Sequence, residues 1–173
     1  MDLEALKTST LAFVEAHQAW TPAIAGGLAF CESVAVLSLF VPATVILVAI
    51  GAMVGGIGIP LWPVVIAAAV GAALGDWLSY EVGRWLGPGA KTKWPLRRYP
   101  ELTLKAEGFI ARWGIAAVAI GRFFGPARAL VPLVAGILGL PRLPFQAANI
   151  TSALVWAFVL LAPGAGLLAW FER

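Results

Sequence analysis

This chain of 173 residues is poor in the groups from which most active sites are built. It holds one cysteine, one histidine and two tyrosines, and 12% of its residues are charged. A single cysteine, Cys31, excludes an internal disulfide and leaves the redox compartment unread. The one histidine, His17, has no second ligand or base near it and sits beside Trp20. It reads as a side chain at a membrane interface, not as a metal ligand or proton-transfer group. Serine–histidine pairs, paired-histidine metal sites and a histidine nucleophile acting on lipid phosphates all fail, because the one histidine lies in the wrong place, outside the membrane-depth segments. A glycine-rich phosphate loop with its lysine is also missing. The expectation is a protein that is not an enzyme and needs neither metal nor cofactor.

What the chain has is apolar surface. Hydrophobic residues make up 61% of it and its mean hydropathy is +0.89, where soluble domains carry about 25% charged residues. Between Ala23 and Gly75 the one formal charge is Glu32, and from Leu143 to Phe171 there is none. Both stretches exceed the ~20 apolar residues that span a bilayer. The expected fold is an all-α polytopic membrane protein, with residues 1–173 forming one membrane domain. The net charge of +3 and isoelectric point near 9.4 do not point to nucleic acid, because the basic residues gather in one segment. Arg84, Lys91, Lys93, Arg97, Arg98 and Lys105, opposed by Glu101, place the 88–107 linker in the cytoplasm against anionic lipid head groups.

Residues 1–22 read as an amphipathic helix lying on the membrane. Leu3, Leu6, Thr10, Phe13 and Val14 share one face, with Glu4, Lys7 and Glu15 elsewhere. Asp2 and Glu4 stand where a secretory signal would be basic. The apolar segment from Gly26 to Gly56 carries Pro42 at its centre, which breaks a continuous helix. Each half, about 15 residues or ~22 Å, falls short of a ~30 Å hydrocarbon core. A re-entrant helical hairpin is expected. The segment from Trp113 to Leu140 repeats the design, with Pro126 and Pro132 near its middle and Gly121, Gly125, Gly136 and Gly139 around them.

Each hairpin leads through a proline-spaced connector, Ile59–Pro63 and Leu140–Pro144, into a long helix expected over residues 64–87 and 145–170. The chain thus divides into repeat 1 (26–87), the basic linker (88–107, with a short interfacial helix from 101 to 112) and repeat 2 (108–170). One hairpin plus one crossing helix is an odd number of crossings, so the second repeat is expected upside down relative to the first. Trp20, Trp62, Trp85, Trp94, Trp113 and Trp170 lie near segment ends, as interfacial anchors do. Ala67, Gly71 and Gly75 form a close-packing stripe that serves either the domain interior or an oligomer, the interior being favoured.

Four ionisable groups remain at membrane depth: Glu32, Asp76, Arg122 and Arg128. A guanidinium stays charged at physiological pH and costs at least ~2.5 kcal/mol at the bilayer centre. One reading is intramembrane ion pairs that fix one hairpin against the other. The other is a site for a lipid phosphate, since two arginines bracketing a helix break can aim bidentate donors and a helix terminus at one anion. Glu32 and Asp76 would then be counter-charges or proton carriers.

These residues carry a resemblance. GDWLSYEVGR, with Gly75, Asp76, Tyr80, Gly83 and Arg84, is followed by GRFFGPARALVPLVAG, with Gly121, Arg122, Pro126, Arg128, Pro132, Ala135 and Gly136. Together with Glu32 ten residues before Pro42, and Phe145, Asn149 and Trp156, they resemble the DedA family, also called SNARE-associated or VTT-domain proteins, over roughly residues 27–160. The resemblance implies two oppositely inserted re-entrant hairpins with crossing helices. It also implies movement of lipids such as undecaprenyl phosphate or glycerophospholipids between leaflets by a flippase or scramblase, often tied to the proton gradient. Glu32, Arg122 and Arg128 correspond to residues held essential in that family. One departure is visible: many members carry Pro-Gly and then Asp or Glu, where this chain has Pro42-Ala43-Thr44. The alternatives are a membrane-organising protein without transport and a carrier of another small anion.

Overall fold

A computed structural model of the chain describes residues 18–35, 43–57, 60–89, 97, 100–124, 128 and 130–171. The described residues are helical, with no strand among them. After a short 3-10 turn (Gln18–Trp20) come α1 (Thr21–Ser33), α2 (Ala43–Ile57), α3 (Leu61–Leu86), α4 (Pro100–Trp113), α5 (Ala116–Gly121), α6 (Leu130–Ile137) and α7 (Arg142–Phe171). His17, Pro42, Trp94, Pro126 and most of the expected surface helix lie outside the described residues. Helix α1 starts at Thr21, with Pro22 in its first turn.

The two long helices begin earlier than expected, at Leu61 and Arg142 instead of 64 and 145. Pro63 and Pro144 fall in the first helical turn, where the backbone N–H has no intrahelical partner and proline costs nothing. They begin helices here and do not spend residues as connectors. Pro132 likewise sits in the first turn of α6. Helix α3 ends at Gly87, whose φ of 62° is glycine's region and whose N–H donates to the Gly83 carbonyl.

Both long helices are long and apolar enough to cross a membrane, over Leu61–Leu86 and Arg142–Gly166. Less than half of each apolar stretch is buried, 44% and 39%, so most of each faces outward. The outward sides carry Ile66, Val70 and Leu74 on α3 and Ile150, Leu154 and Phe158 on α7, at four-residue spacing. Such a surface suits lipid.

The packing is reciprocal. Helices α1 and α2 share one apolar stretch, yet α1 packs along α3 while α2 packs along α7. Of the later pair, α5 packs on α7 and α6 on α3. Each pair of short helices therefore places one arm on each long helix. Small residues permit the approach: a Cβ on Gly71 would press into the Gly26 carbonyl, and one on Gly136 into that of Tyr80. The stripe Ala67–Gly71–Gly75 is thus occupied within the chain, by Gly26, Phe30 and Ser33 of α1.

Besides a small cluster of Ala35, Leu133 and Ile137, two larger apolar cores result among the described residues. One joins Ala25, Leu47, Val64, Ala68, Ala157 and Leu161; the other joins Tyr80, Ile110, Val118, Val134 and Phe145. The first half of α3 meets the second half of α7, and the second half of α3 meets the first half of α7, so the two run in opposite directions. Between the cores lies the middle of each long helix, and there the polar residues collect.

Candidate functional site

Helix α3 contributes Asp76, Ser79, Tyr80 and Gly83, spaced i, i+3, i+4 and i+7 so that all four fall on its buried face. Helix α7 contributes Asn149, Ser152 and Trp156 at i, i+3 and i+7, also buried. Into the space between them reach the residues at the helix breaks: Glu32 and Ser33 at the end of α1, Thr44 at the start of α2, Arg122 at the end of α5 and Arg128 before α6.

Arg122 is the most enclosed of the charges, its side chain 2% exposed. Its Nη2 donates to the Asp76 carboxylate and to Asn149 Oδ1 at 2.6 Å, and its Nε donates to Ser152 Oγ at 3.1 Å. Asn149 Nδ2 in turn donates to the Ala73 carbonyl of α3 at 2.9 Å, tying the long helices together beside the ion pair. A buried pair is stable only when surrounding hydrogen bonds satisfy what is left over. Here Arg122 Nη1 is buried with no partner among the described residues.

Arg128 is held from three sides. Its Nη1 lies 3.3 Å from Glu32 Oε1, its Nη2 lies 3.3 Å from Ser33 Oγ, and its guanidinium stands 4.4 Å from the centre of the Trp156 ring. Thr44 donates its hydroxyl to the same Glu32 oxygen, so the position of the departure from Pro-Gly-Asp/Glu holds a neutral group directly on the carboxylate. Glu32 Oε2 is buried and has no partner among the described residues. Arg128 is also within electrostatic reach of Asp76 and Arg122, so the four charges form one cluster with a formal sum of zero.

The rest of the GDWLSYEVGR run fixes this cluster in place. Ser79 Oγ accepts from the Ala35 N–H at 3.1 Å where the chain leaves α1 in extended conformation. Tyr80 stacks on Phe145 and donates its hydroxyl to the Leu140 carbonyl, and Arg84 donates to both that hydroxyl and that carbonyl. Gly83 and Gly136 let α3 and α6 touch backbone to backbone. Tyr80, Gly83, Arg84 and Gly136 are therefore clamps between helices. Gly75 admits α1, since its Cβ would lie 2.7 Å from the Phe30 carbonyl. Gly121 lies against Val131, joining α5 to α6.

All four expected charges meet, with Pro42 and Pro126 outside the described residues. Ser33 and Ser152 are not singled out by the sequence, and Thr44 stands out there only as a departure from the family pattern. The signal was present in part: in α7, which carries no charge after Arg142, the polar residues Asn149 and Ser152 share one helical face with Trp156. No group of His, Cys, Asp and Glu able to hold a metal occurs among the described residues.

The family model for the VTT domain matches residues 41–166. The inner membrane protein YabI of Escherichia coli K12 is 35% identical over 138 residues, 79% of this chain and 54% of YabI. The inner membrane proteins YghB and YqjA of the same organism are 34% and 33% identical, over 80% and 78% of this chain and 64% and 62% of theirs. The chain thus spans little more than half the length of YabI. No solved structure matches it. With the VTT model matched over most of its length, this chain belongs to the VTT-domain, or DedA, family of membrane proteins.

Proposed function

We propose that the protein carries a lipid phosphate, such as undecaprenyl phosphate or a glycerophospholipid, between the two leaflets of the inner membrane, and that Arg122 and Arg128 bind the phosphate. The observation that carries this reading is Arg122 Nη1, a charged donor buried midway along the long helices with no partner among the described residues. In a cluster already neutral, an open donor on a guanidinium is a place for an incoming oxyanion. Asp76 and Glu32 act as counter-charges that hold the arginines while no lipid is bound.

The reciprocal packing supports two inverted repeats, each a re-entrant hairpin with a crossing helix. Exchanging one repeat for the other maps each arm onto its counterpart's contacts. A site between the repeats and near the midplane is then open in turn to either leaflet. Charge counting adds a coupling. A phosphodiester brought into a cluster of two cations and two carboxylates leaves one net negative charge at depth, and one proton taken up by Glu32 or Asp76 removes it. Thr44 carries no proton of its own to this exchange.

The test is binding by the purified protein. A short-chain lipid phosphate should raise its thermal unfolding temperature, as any ligand of the folded state does. The matching lipid without a phosphate should not, and Arg128→Ala should lose the effect. Equal stabilisation by both lipids would refute the assignment and favour a purely structural role for the four charges.

A further inference from the structure

A cavity of about 360 Å³ lies between α5 and α7, walled by Ala119, Ile120, Phe123, Phe124 and Val155 and floored by Ser152. We infer that this cavity holds a hydrocarbon chain of the same lipid whose phosphate the arginines bind, with Ser152 marking the junction between phosphate and chain. The inference rests on the lipid-phosphate reading and adds where the lipid's tail lies.

Ser152 has two neighbourhoods. Its hydroxyl accepts from Arg122 Nε at 3.1 Å and donates to the Asn149 carbonyl at 3.1 Å, so it belongs to the charged cluster. It also borders the cavity, whose other walls are hydrocarbon except Thr151. The Thr151 hydroxyl donates back to the Ala147 carbonyl at 2.7 Å, and brings no unmet donor into the space. A polar head group would find nothing to bond there, whereas a hydrocarbon chain loses nothing. The volume lies within the ~300–1,000 Å³ of small-molecule sites. Phe123, Phe124 and Val155 are half-exposed or more, so the cavity opens sideways onto the surface that faces lipid.

Apolar surface alone would not single out this place. The outward face of α3, with Ile66, Val70 and Leu74, is equally apolar, but the helix turns its buried Asp76 to the other side. A second cavity of about 240 Å³, with Lys105, Phe109 and Val131, lies on the other side of Phe124, whose ring meets Phe109 edge-on at 6.2 Å. Phe124 walls the second cavity off from the one that reaches Ser152. A chain leaving the bilayer for a protein groove gains no hydrophobic free energy, since lipid tails are as apolar as the groove. Occupancy must therefore come from the phosphate anchoring its own chain beside Arg122.

That dependence supplies the experiment. Full-chain protein in phosphatidylcholine vesicles is photolabelled with two probes carrying the same diazirine acyl chain, a phosphatidylglycerol and a diacylglycerol, and the adducts are mapped by mass spectrometry. The phosphate-bearing probe should label Ala119, Phe123 and Val155 about tenfold over Ile66 and Val70, and the diacylglycerol should label both faces alike. Two filling variants, Ala119→Leu and Val155→Phe, should remove the excess labelling and slow transbilayer movement of the phosphatidylglycerol about tenfold. Both should keep the thermal stabilisation given by a short-chain lipid phosphate. Even labelling of both faces, or variants that transport at the normal rate, overturns the chain site and leaves the lipid-phosphate reading standing. No movement of any lipid phosphate by the unaltered protein overturns both.

Discussion

Replacing Asp76 with asparagine keeps the shape of the side chain and removes its charge, so it isolates what the carboxylate does for Arg122. The guanidinium it faces is 2% exposed and would remain charged. Asn149 Oδ1 and Ser152 Oγ still accept from it, and the new amide oxygen replaces one acceptor, so hydrogen bonds are largely kept while the neutralising charge is lost. Breaking a buried pair from one side costs about 3–5 kcal/mol, and the retained hydrogen bonds set the expectation at the lower end, about 3. Arg122→Gln strands the Asp76 carboxylate in the same way and should cost a similar amount. The double variant Asp76→Asn/Arg122→Gln leaves two neutral amides able to pair. It should cost about 3 kcal/mol instead of the additive sum of about 6, a coupling of roughly 3. Equilibrium unfolding in mixed micelles of rising dodecyl sulfate fraction, followed by tryptophan fluorescence, measures all three. Single variants within 0.5 kcal/mol of the parent, or a double variant equal to the sum, would refute the buried-pair account.

The remaining expectations rest on other contacts. Gly136→Ala should destabilise by about 1–3 kcal/mol in the same unfolding assay, because its methyl group meets the Tyr80 carbonyl. Gly108→Ala, in α4 with nothing within 4 Å of the added carbon, should stabilise by about 0.5–1 kcal/mol. Tyr80→Phe should cost about 1–2 kcal/mol by leaving the Leu140 carbonyl without its hydroxyl donor, with Arg84 still in reach. Arg142 and Glu81 form a pair at 2.9 Å, but Arg142 is 62% exposed, so Arg142→Gln should leave the unfolding curve unchanged at physiological salt.

Much of this arrangement was legible in the sequence, because hydrocarbon and charge leave strong marks there. Helix α7 announces itself by its charge-free length after Arg142 and α3 by its apolar run up to Gly75, and the four intramembrane charges are conspicuous because each is costly. The starts of those helices were less legible. A proline reads as a break from sequence alone, yet at Pro63 and Pro144 it occupies a first turn, and only the structure tells the two uses apart. Which acid meets which arginine was also hidden, since Asp76 with Arg122 and Glu32 with Arg128 follow from how the arms exchange between the long helices. Ser33 and Ser152 escaped because a serine in a membrane helix can bond its own backbone as easily as a distant guanidinium.

The central claim is that the buried arginines serve a travelling phosphate and are not merely structural. Transbilayer movement in proteoliposomes tests it most directly, with fluorescent lipid phosphate and a matching lipid lacking the phosphate, for the parent protein and for Arg128→Ala shown to be folded. The account predicts that the parent accelerates movement of the phosphate-bearing lipid alone and that Arg128→Ala does not. Rates equal to those of empty liposomes for several lipid phosphates, with and without a pH gradient, would contradict it.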